Sequence, residues 1–361
     1  MIDRQGRRQF LAGMLAAGLT PKPTWADVGS PAFLSAAAIS DGSYVLCGLN
    51  ADLQVRFQVP LPARGHAAAS HPIRPEAVAF AHRPGTFAVV IDCLTGAQKA
   101  ILHAPKGRHF YGHGVFSADG GLLFTTENDF DAGQGRIGVW DARNGYQRVD
   151  EWRSGGIGPH DIKRLPNTDT LVVANGGIDT HPDTGRTKLN IATMAPNLSY
   201  IEDGKQLEVA RLEPTLRKSS IRHLAVNHNG SVAFGMQWQG DIPAPALVGV
   251  HKRGVDIHLM RAGPNQTRAM RGYIGSVAFS KDGKTIAATS PRGGLLQIFE
   301  TLNQELIASV SIADVSGVSM LNDTFVASSG GGILINLADN SNANVAQSNF
   351  AWDNHLVSLQ M

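Results

Sequence analysis

The chain is poor in cysteine, in charge and in long apolar runs, and each shortage excludes a class of protein. Its 361 residues carry two cysteines, Cys47 and Cys93, with no Cys-x-x-Cys pair, so neither a disulfide scaffold nor a thiolate zinc site is written here. Charged residues amount to 17%, against roughly 25% in ordinary globular chains, with 32 Lys+Arg facing 30 Asp+Glu. That balance offers no basic stripe for a nucleic acid. The apolar stretch Phe10–Leu19 is too short for a hydrocarbon core of about 30 Å, so no stable membrane insertion is expected. There is no His-Glu-x-x-His and no Gly-x-Ser-x-Gly. Gly283-Lys284-Thr285 resembles the end of a phosphate loop, but Ala278 stands where the loop needs glycine, and the segment reads as a hairpin turn.

Glycine is abundant instead, at 40 residues, which fits many short strands joined by tight turns. Residues 1–26 read as an export signal: Arg4, Arg7 and Arg8 precede the apolar stretch, and Thr24-Trp25-Ala26 offers a cleavage point before Asp27. Gly6-Arg7-Arg8-Gln9-Phe10-Leu11 is similar to a bacterial twin-arginine signal. The expectations are passage through the twin-arginine translocase and a periplasmic mature protein. Without the signal the net charge falls from +2 to −1, because four cations and one anion leave with it.

The remainder repeats. Gly112-His113-Gly114-Val115-Phe116 leads into an Asp-Gly turn, a second apolar run, RIGVWDARNG and a fourth β-rich segment. The same register returns with landmarks at 66, 113, 160, 223, 276, 317 and 355, spaced 38 to 63 residues apart. Four short strands per repeat of about 40–50 residues define a propeller blade. The last repeat holds one inner strand and the N-terminal segment supplies three strands lacking an inner partner. The predicted architecture is an all-β, seven-bladed β-propeller over residues 30–361, one blade being closed by N- and C-terminal strands. Cys47 and Cys93 occupy equivalent positions of neighbouring repeats, which suits buried thiols better than a disulfide.

Five landmarks are histidine: His66, His113, His160, His223 and His355, on consecutive blades, with Ser276 and Gly317 opposite. Each stands just before an innermost strand, at one mouth of the central channel. Loops returning to that mouth carry His82, Glu127, Asn128, Asp129, Asn175, His181, Gln237 and Arg292, and Arg222 adjoins His223. Imidazoles on separate rigid strands suit a transition metal, with polar neighbours orienting the rings. Two other readings stay open: a structural arc in which the rings bond backbone, and a small-molecule or anion site.

RHFYGHGVFSADGG, FTTENDF, GGIGPHDI, VANGGIDTHPDTGRTKLN, IRHLAVN, TSPRGG and AWDNHLV together resemble a bacterial family of exported propellers catalogued as domain of unknown function 1513. The resemblance spans essentially the whole chain after the signal. It implies a periplasmic propeller, often encoded near imelysin-like and di-haem cytochrome-like proteins associated with iron or copper handling. It implies no established activity. The reading from these lines is a propeller binding an iron or copper ion at the His-rich mouth, with periplasmic metal-handling or redox proteins as partners. The alternatives are a metal-free module docking a redox partner, and a lactonase- or oxidoreductase-like enzyme with Glu127 or Asp129 as base beside His113.

Overall fold

Seven antiparallel sheets make up the chain, and in all but the first the chain enters at the inner strand and leaves at the outer one. The computed structural model describes residues 22–82, 85–185, 187–241, 243–337 and 345–359. Arg4, Arg7, Arg8 and the apolar stretch of the expected signal lie outside the described residues, whereas Trp25–Val28 forms a 3-10 turn.

The second blade shows the pattern. Gly65–Ser70 is innermost, followed outward by Glu76–Ala81, Phe87–Asp92 and Gln98–His103. Second strands are sandwiched between neighbouring blades, so Glu76–Ala81 and Leu171–Asn175 are buried at every residue and read as nearly continuous apolar runs. Fourth strands face solvent, and Gln147–Arg153 is accordingly mixed and charged. Packing between blades builds the core: Phe80, Val90 and Leu102 of the second blade meet Phe110, Leu123 and Trp140 of the third. The Trp140 N–H donates to Thr125 Oγ1 at 2.9 Å, placing this ring in blade packing.

The first blade closes as expected, with one difference. Phe33–Ala38, Tyr44–Leu49 and Val55–Leu61 come from the N-terminal side. Their inner partner is split into Ala351–Trp352 and Val357–Ser358, both antiparallel to Phe33–Ala38. Residues 353–356 bow out of the ladder between them, and His355 sits in that bow.

The other inner strands make smaller versions of the same departure. Register shifts fall between Gly65 and Ala68, Phe110 and Gly114, Pro159 and Asp161, and Ile221 and His223. Those intervals hold or adjoin His66, His113, His160 and His223. A bulge inserts a residue without a ladder partner and re-aims its side chain, here at the positions where imidazoles are wanted on the axis. Ser276–Phe279, whose landmark is serine, pairs without a shift, whereas Val315–Leu321, whose landmark is Gly317, shifts between Val315 and Val318.

Cys47 and Cys93 are buried free thiols, and burial pushes both up to about 12. Among the described residues the one α-helix is Pro264–Ala269, and no helix is long and apolar enough to cross a membrane.

Candidate metal centre on the propeller axis

The bulges bring five imidazoles together. Ring centroids lie 4.6 Å apart for His113 and His355, 4.8 Å for His66 and His355, and 4.9 Å for His160 and His223. His113 stands 5.0 Å from His160 and 5.1 Å from His66, and His223 stands 5.2 Å from His355. His82 joins edge-on, 5.5 Å from His66. Four of the five are at most 9% exposed, and His355 is partly buried. Close approach demands glycine at one point: Gly112 has φ +98°, and a Cβ there would stand 2.6 Å from His66 Cδ2.

The nitrogens divide into held and unpaired. His113 Nδ1 lies 3.1 Å from Asp161 Oδ1, and a carboxylate can only accept, so Nδ1 carries the proton. Asp161 is itself fixed: its Oδ2 accepts the Leu224 backbone N–H at 2.9 Å, and Lys163 Nζ is 3.3 Å from its Oδ1. His160 Nδ1 donates to the Arg222 carbonyl at 3.2 Å. His66 Nδ1 is 3.9 Å from Asp353, whose other oxygen accepts from Arg64 at 2.8 Å. His66 Nδ1, His113 Nε2, His355 Nε2 and both nitrogens of His223 are buried with no hydrogen-bond partner among the described residues.

Burial governs the protonation of these rings. It lowers His113 to about 4, opposed by Asp161, and holds His160, His223 and His355 well below the usual histidine range, assisted by neighbouring rings. His113, His160, His223 and His355 are therefore neutral near pH 7, the form with a lone pair to give. Burial works to protonate Asp161, but Lys163, His113 and the Leu224 N–H outweigh it, and its carboxyl stays far below the ordinary range.

Donor nitrogens fall into two groups sharing one member: His66, His113 and His160, and His113, His223 and His355, with all donors of a group within 4.8 Å of one another. Bonds of about 2.0–2.1 Å separate tetrahedral nitrogen donors by about 3.4 Å, so small rotations of the rings complete a shell. A cavity of about 850 Å³ runs along the axis from this cluster. Asp161, Lys163, His223 and His355 belong to its wall, as do Asn227 and Ser280 in turns at the opposite end of the blades. Trp25 also lines it, its indole N–H donating to the His71 carbonyl at 2.8 Å.

The remaining mouth residues are engaged elsewhere. Glu127 is fully buried and bound by Arg148, with 2.6 Å and 3.0 Å contacts, and by Thr125. Asp129 pairs with Arg108 at 2.7 Å and Arg136 at 3.0 Å. The expectation of either as a base beside His113 is thus corrected: strand Leu122–Asp129 delivers both to arginines, and Asp161 is the carboxylate at His113. Asn128 bonds His109 and the Thr180 carbonyl, and Asn175 bonds Ser154, Asn197 and Ser199. His181 lies against Asp131 at 3.4 Å. Gln237 reaches the Ile274 carbonyl and Arg292 stacks on Tyr273, 4.4 Å from the ring centroid. Arg222 serves the cluster through its carbonyl, while its side chain donates to Ser220 Oγ.

Asp161, Asp353 and Lys163 are the neighbours that the repeat register did not single out. Their signal is local: aspartate follows His160 in Pro-His-Asp and precedes His355 by two residues in Asp-Asn-His.

Fold and site together define a seven-bladed β-propeller with a buried imidazole cluster on its axis. The chain belongs to the family described as "Protein of unknown function (DUF1513)", whose model matches residues 59–359. No curated protein matches the sequence significantly. Among solved structures it is similar to hydrazine synthase of Kuenenia stuttgartiensis, with 15% identity, a TM-score of 0.58, and coverage of 85% of this chain and 89% of that one. That likeness is one of fold.

Proposed function

We propose that this propeller binds a transition-metal ion, iron or copper, at the five-histidine cluster, and that it works in metal acquisition or handling in the periplasm after twin-arginine export. The observation that carries the reading is the division of the nitrogens. A purely structural arc turns imidazole nitrogens to backbone partners. Here the outward Nδ1 atoms of His113 and His160 are bonded, while His113 Nε2, His223 and His355 Nε2 are buried and unpaired. Leaving a buried acceptor unsatisfied costs about 1–3 kcal/mol. A Lewis acid bonded to those lone pairs offsets that cost. Metal-ligating histidines characteristically donate their other N–H to a carboxylate or carbonyl, as these two do. An all-imidazole donor set suits copper, iron, zinc or nickel on chemistry alone, and the family resemblance favours the first two.

The test is metal analysis of protein purified without a His tag or chelator, beside the combined His113→Ala, His160→Ala and His223→Ala variant. The reading expects a stoichiometric transition metal in the wild type and none in the variant. Undiminished metal in the variant removes the proposed centre.

A further inference from the structure

We propose that the five histidines form two overlapping three-imidazole stations for a single metal ion, with His113 common to both. This rests on the metal-binding reading above and adds the number of ions and their path. One station is His66, His113 and His160; the other is His113, His223 and His355.

The choice between one ion and two turns on His113. An imidazole joins two ions only as a bridging imidazolate, with a lone pair on each nitrogen and no proton on either. The Nδ1 of His113 faces Asp161 Oδ1 at 3.1 Å, and Asp161 is anchored by Leu224 and Lys163. Nδ1 is taken up by this anchored carboxylate, so Nε2 is the one donor His113 can offer. One donor atom serves one ion. His160 is limited in the same way, because its Nδ1 is bonded to the Arg222 carbonyl.

The axial cavity meets one station and not the other. His223 and His355 belong to the wall of the axial cavity, whereas His66, His113 and His160 do not. His66 instead meets His82, 5.5 Å away. An ion held by His66, His113 and His160 reaches the cavity by staying on His113 and exchanging its other two ligands for His223 and His355. The cluster is then a relay along the propeller axis with His113 as pivot.

The experiment is titration of the metal-free full chain with Cu²⁺, read by electron paramagnetic resonance and X-ray absorption. The expected result is one equivalent of magnetically isolated Cu²⁺ with three imidazoles. The paired variants His66→Ala with His160→Ala, and His223→Ala with His355→Ala, each retain one equivalent. The second pair releases it to an external chelator more slowly than the first, because the station facing the cavity is gone. Two coupled ions in the wild type, one five-imidazole shell, or equal release from both pairs overturns the relay. The wild-type spectra decide this even where a variant folds poorly. A wild type that takes up no Cu²⁺ removes the metal-binding reading together with it.

Discussion

Two buried polar clusters lie in this propeller, and they are built on opposite rules. In the third blade, Glu127, Arg148, Glu151, Arg108, Asp129 and Arg136 form a chain of ion pairs in which each charge meets an opposite one. On the axis, five imidazoles converge, of which His113 and His160 have a bonded Nδ1, while His113 Nε2, His355 Nε2 and both nitrogens of His223 have no hydrogen-bond partner among the described residues. Both carry the cost of removing polar groups from water. Only the first compensates for it within the chain. The difference separates a cluster that satisfies its own polar groups from one that leaves buried donor nitrogens open.

The comparison breaks most visibly at Glu127. Glu127→Ala removes the fully buried carboxylate that holds Arg148, which keeps Glu151 at 2.7 Å, and losing charged hydrogen bonds of this kind costs about 1.5–3 kcal/mol. Denaturant unfolding should show that loss while metal content per folded chain stays unchanged. A coupled loss of metal would mean that the two clusters are one system. Next in size is Asp161→Asn, which preserves the shape but removes the carboxylate behind His113. Loss of such an outer partner weakens metal affinity by about 10–100-fold. Competition against a chromogenic chelator measures it, and unchanged affinity would deny Asp161 its orienting role. The smallest effect is expected from His223→Leu in the metal-free protein. Replacing an unpaired buried polar ring by a hydrocarbon of similar size should be neutral or raise stability by about 1 kcal/mol. A marked destabilisation would show that His223 has a structural partner after all.

How much of this was legible beforehand follows from period and direction. The blade count is legible because each repeat restates the same turn and strand order, and the Gly-His and Pro-His landmarks mark the inner strands at 66, 113 and 160. That five of them fall on consecutive blades is also legible. Their convergence is not, because it depends on bulges at Gly65–Ala68, Phe110–Gly114 and Pro159–Asp161, which leave no mark in an apolar pattern. The loops after second strands illustrate the opposite error. Topology alone puts Glu127 and Asp129 near the mouth, but arginines of the same blade have first claim on a buried carboxylate. Alternation along Leu122–Asp129 puts Glu127 and Asp129 on one face, and the arginines on that face take both.

The split inner strand of the first blade sets a timetable. His355 reaches the axis only when Ala351–Trp352 and Val357–Ser358 have zipped onto Phe33–Ala38, a contact more than three hundred residues long in the chain. Such distant pairings are among the last to form, since closing a long loop loses entropy before any contact repays it. A nascent chain still lacking residues beyond 350 holds four of the imidazoles and has not closed its ring. All five imidazoles thus stand together only after synthesis has passed that point, so the cluster is completed by the same event that closes the ring.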